Sequence, residues 1–122
     1  MYKAALLPLA LLTATPAAMA QEAPPAPQLN AEQSATLRCA AAFAIVSHGQ
    51  ASGNEDALEY PPLAERGREF FVRAGARLMD ELGLDQEGIQ ALVSAEAQRL
   101  WDEDAIAEVM PACMMLLDAS GV

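Results

Sequence analysis

The sequence predicts an all-α fold: a small four-helix antiparallel bundle whose first and last helices are joined by one disulfide. Three observations lead there. Several segments repeat apolar residues at the helical period of about 3.6, and none shows the strict alternation of a half-buried strand. The run Cys39-Ala40-Ala41-Ala42-Phe43-Ala44-Ile45-Val46 carries no charged or amide side chain, and a helix that is apolar all round is a buried one. Finally, the chain has two cysteines, Cys39 and Cys113, each central to an apolar helix face, so that only one intramolecular bridge can form.

The first twenty residues read as an export signal. Lys3 supplies a positive start, Ala4 to Leu12 a short apolar core, and Ala18-Met19-Ala20 a small-x-small site that places cleavage between Ala20 and Gln21. The expected destination is a periplasm or the secreted medium, where disulfides persist. Residues 21–29 follow as a flexible tether in which Pro24, Pro25 and Pro27 impose extended chain. The remainder, 30–122, has the length of one small domain with a single core.

Within that domain Asn30 and Gln33 form a capping-box pattern, and the helix they open is expected to stop at Gly49. One face carries Ala35, Cys39, Phe43 and Val46; Leu37, Ala41 and Ala44 lie behind it. Gly49 to Glu59 has the composition of a long loop. A second helix is expected from Pro62, in its first turn, to Leu82 before Gly83. Its apolar stripe holds Ala64, Gly67, Phe71, Ala74, Gly75, Leu78 and Leu82, and two glycines inside a helix suggest that another backbone approaches there. Asp85 caps a third helix with Ile89, Val93, Ala97 and Leu100 inward, flanked by Leu92 and Trp101. Asp102 or Asp104 is expected to cap the last, where Ile106, Val109, Met110, Cys113, Leu116 and Leu117 face the core. Pro111 should kink or interrupt that helix.

Charge restricts the partners. Removal of Lys3 with the signal would leave 6 arginines against 17 acidic residues, a surface that repels nucleic acid and anionic lipid. No stretch beyond the signal has the length and apolarity of a membrane span.

No catalytic constellation is visible: haem-attachment, calcium-loop, phosphate-loop and nucleophile-elbow patterns are all absent. No metal or cofactor is expected. The polar residues that stand out are few. His48, the only histidine, sits where a helix C-terminus favours a protonated ring. Glu96 falls on the edge of an apolar stripe and must find a partner or raise its pKa; Arg99 is one turn away, and the arginines of the second helix are also within reach. Arg66, Arg68, Arg73 and Arg77 gather positive charge on one helix, partly balanced by the pairs Glu69 with Arg73 and Arg77 with Glu81. Most methionines are expected to fill gaps in the core, with Met115 the most exposed.

The leading expectation is therefore a non-enzymatic binding or interaction module of the cell envelope, its partner another protein or an envelope component. The alternative is an acid-stress chaperone, since a small, single-disulfide, all-helical exported protein resembles periplasmic chaperones of that kind in architecture, without a shared motif. An apolar-ligand carrier is a third expectation. An enzyme acting through Glu96 is the last.

Overall fold

A computed structural model describes residues 26–122; the expected signal peptide, its cleavage point and residues 21–25 of the tether lie outside them. Among the described residues there are five helices and no strand: α1 (Ala31–Ala51), α2 (Glu55–Leu58), α3 (Arg66–Leu82), α4 (Gln86–Asp102) and α5 (Ile106–Ala119). None is long and apolar enough to cross a membrane.

The hub is α1. The expected capping box forms: the Asn30 side chain accepts from the Gln33 amide at 2.8 Å, and the Gln33 side chain accepts from the Asn30 amide at 3.0 Å. From Cys39 through Phe43 every residue is buried, which leaves room for neighbours on all sides, and α1 packs against each of the other four helices. Ala44, expected behind the cysteine face, is exposed instead. The bridge joins Cys39 to Cys113 with their Cα atoms 5.1 Å apart, within the span a disulfide allows.

The chain departs from expectation after His48. Rather than stopping at Gly49, α1 continues to Ala51, and the supposed loop contains the short α2, capped by Asn54. Gly49 serves contact rather than termination, because a Cβ there would lie 2.8 Å from the Ala57 Cβ. Gln50 holds the turn that follows. Its amide nitrogen donates to the carbonyls of Ala57, Tyr60 and Pro61, and its oxygen accepts from the Leu63 amide at 3.0 Å. These bonds keep residues 60–63 out of helix, so α3 begins at Arg66 and not at Pro62.

The buried stripe of α3 is Gly67, Phe70, Ala74 and Leu78. Phe70, one position before the expected Phe71, meets Phe43 edge to face with ring centroids 5.2 Å apart. Gly67 marks the close approach, where a Cβ would come within 3.5 Å of the Phe43 Cβ, whereas Gly75 has nothing within 4 Å. Gly83 ends the helix in the left-handed region at φ 65°, a conformation that favours glycine. Contacts of Phe43 with Gly67 and Phe70, and of Glu32 with Arg77, make α1 and α3 antiparallel.

Asp85 caps α4 by accepting from the Gly88 amide. Leu100 is fully buried, and its neighbour Trp101 is turned outward, 71% exposed. Neither Asp102 nor Asp104 caps α5: Asp102 belongs to α4, Asp104 takes a left-handed φ of 51°, and Ala105 occupies the cap without a side-chain bond. Helix α5 runs unbroken through Pro111. Met110, Cys113 and Leu117 are buried, and Met115 is 73% exposed.

Candidate functional site

Two depressions lie between helices. The larger, of about 500 Å³, is bounded by the first half of α1, the second half of α4 and the start of α5. Its charged walls are Arg38 from α1, Glu96 and Arg99 from α4 with Glu103 at its C-cap, and Glu108 from α5; Leu37 and Val109 add apolar surface. The helical step explains the α4 wall. Residues 96, 99 and 103 are three and four apart, so they share one face.

Arg99 is the centre of that wall. Its Nε and Nη2 donate to the two oxygens of Glu96, and its Nη1 donates to Glu103 at 2.6 Å. These carboxylates, Glu96 first, hold the guanidinium above the usual arginine range, while desolvation opposes them. The Glu96 side chain is only 16% exposed, so this bidentate contact supplies the partner that its position demands.

Arg38 is different. It is half-buried on the hub helix, yet it makes no ion pair with any described residue, and neither does Glu108, which lines the same depression from α5. Neither residue belongs to a motif that would single it out in the sequence. The available signal was that Arg38 is the sole formally charged residue between Glu32 and Glu55, adjacent to Cys39.

The second depression, about 330 Å³, lies between α1, α3 and the end of α5 and is lined by Phe70, Ala74 and Leu116 together with Arg73 and Arg77. Both arginines are engaged. Arg73 pairs with Glu69, and Arg77 pairs with Glu81 and Glu32. Arg66 reaches Asp118 on α5.

The remaining candidates are scattered. Arg68 is exposed, lines neither depression and has no ion pair among the described residues. His48 is exposed in the last turn of α1, where its carbonyl accepts from the Ser52 amide and hydroxyl. Among the described residues no group of three His, Cys, Asp or Glu side chains is placed to hold a metal ion. No protein-family model matches the chain, and no curated protein or solved structure is significantly similar to it.

Proposed function

We propose that the chain is a non-enzymatic binding module of the cell envelope, exported to a periplasm or the medium after cleavage between Ala20 and Gln21. In this reading its longer helices form an antiparallel bundle around α1. The supporting observation is the depression between α1, α4 and α5, where charged side chains from three helices converge on one concave surface. The most sheltered carboxylate among the described residues, Glu96, is bonded at both oxygens to Arg99. The partner is another protein or an envelope component.

Photo-crosslinking tests this. A photoreactive residue at Ser34, inside the depression, should yield a discrete crosslinked species in intact cells. One at Gln90, exposed and outside it, should not. Equal labelling from both sites, or an enzymatic activity abolished by Glu96→Gln, would overturn the proposal.

An acid-stress chaperone is the second reading. It is favoured by the polar links between α1 and α3, in which Glu32 and Glu81 act as carboxylates toward Arg77 and Gln33. Acid would neutralise the Glu81 carboxylate, which these bonds hold below its ordinary value, and loosen the pair. Failure to bind an apolar dye or to suppress client aggregation at low pH would remove this reading. An apolar-ligand carrier has less support, because the larger depression is walled chiefly by charge.

A further inference from the structure

The four arginines that line the two depressions divide unevenly. Arg73, Arg77 and Arg99 are each paired with carboxylates, and among the described residues Arg38 is not. A guanidinium offers five N–H donors in a planar fork. Arg38 is half-buried as a residue on α1 and has no carboxylate partner among the described residues. Such a fork suits an oxyanion, which it can grip through two parallel bonds.

Glu108, in the first turn of α5, lines the same depression. The helix start favours an acidic residue at that position, but this preference does not neutralise the charge. Two opposite charges thus border one concave space without pairing. The other three charged walls, Arg99 with Glu96 and Glu103, are already bonded to one another.

Ligand charge decides what fits. A simple anion would gain Arg38 and meet the unpaired Glu108, as well as the excess carboxylate of the α4 wall. A simple cation would gain Glu108 and meet Arg38. A molecule that carries both charges satisfies both walls. The volume of about 500 Å³ admits a small molecule of this type with accompanying water, and Leu37 and Val109 can accept a short apolar substituent.

We infer that the depression binds a small zwitterion, with its oxyanion on Arg38 and its primary ammonium on Glu108. The inference rests on reading this depression as a binding site and adds the chemistry of what it holds. Two sources share that chemistry: a free α-amino acid and a phosphoethanolamine group.

Isothermal titration calorimetry on the full chain with its disulfide intact provides the test. The probes are the free α-amino acids, phosphoethanolamine, and the N-acetyl and carboxamide derivatives of the amino acids. At least one zwitterion should bind. For an amino acid, blocking either charge should weaken binding about tenfold or more, the usual scale for loss of a charge-assisted contact. Arg38→Met, which keeps the apolar stem, and Glu108→Gln should each cause a similar loss, with thermal unfolding close to that of the parent chain. Preference between the amino acids and phosphoethanolamine identifies the source. The inference is overturned if no zwitterion binds, if blocked derivatives bind equally well, or if both folded variants bind like the parent. Crosslinking from Ser34 without zwitterion binding would sink this inference alone; failure of both experiments would remove the binding-module reading as well.

Discussion

Gly67 and Gly75 stand two turns apart on α3, and adding a methyl group has different consequences at each. At Gly67 the new Cβ would lie 3.1 Å from the Leu63 Cβ and 3.5 Å from the Phe43 Cβ. At Gly75 it would meet nothing within 4 Å. Replacing a helical glycine by alanine gains about 1 kcal/mol when space allows, largely through the entropy of the unfolded chain. Gly75→Ala should therefore raise the urea midpoint by about that amount at constant slope. Gly67→Ala should give no such gain, because Leu63 and the α1 contact must yield; equal stabilisation by both would show that the approach at Gly67 carries no cost. Glycine spacing in the sequence identified a close approach but could not distinguish which glycine makes it. The same limit hid Gln50, since an amide in a turn-rich stretch is unremarkable until the carbonyls of Ala57, Tyr60 and Pro61 gather round it.

The start of α1 and the end of α3 are joined by side chains rather than by core packing alone. Gln33 donates to Glu81 at 3.0 Å, while Arg77 bridges Glu81 and Glu32. The Gln33 hydrogen bond first, and that from Arg77 second, hold the Glu81 carboxyl below its ordinary value of 4.5. A folded-state value below the unfolded one stabilises the fold above the unfolded value. That contribution is present above about pH 4.5 and is lost as pH falls through the lower folded value. Glu81→Gln should consequently be less stable than the parent at neutral pH, with the difference shrinking on acidification below pH 4.5. Urea midpoints across that range would show it, and a difference that grew in acid would refute the assignment. The effect is modest, because these groups are exposed to solvent screening. The pair Arg77 with Glu81 was legible from its four-residue spacing. Glu32 and Gln33 were not, since only the antiparallel approach of α1 and α3 brings them there.

For the molecule as a whole, the bridge between Cys39 and Cys113 closes a loop over 74 positions of sequence. In the chain-entropy account, closing a loop of that length stabilises the folded state by ~4 kcal/mol. Cys39→Ala combined with Cys113→Ala should lower unfolding stability by about that amount, and the parent chain unfolded in reductant should show a comparable loss. An unchanged midpoint would mean that the unfolded chain is already restricted without the bridge. Both sulfurs come from buried positions, and α1, which supplies one of them, touches every other helix. Loss of the bridge therefore acts on the hub and not on a peripheral contact.

The sequence by itself determined the helical class, the cysteine pair, the cap at Asn30 and Gln33, the stop at Gly83 and the cap at Asp85. These follow from local chemistry: period, capping side chains, a left-handed glycine and the count of thiols. Tertiary structure alone decided that α1 continues past Gly49, that Phe70 rather than Phe71 faces Phe43, and that Trp101 turns outward. It also decided the candidate site. Glu96 was conspicuous from its own helix, but Arg38 and Glu108 are separated by most of the described chain and acquire meaning only where α1 and α5 bring them to one depression. Local periodicity places a side chain on a face; which other face lies across from it depends on how the helices pack around α1.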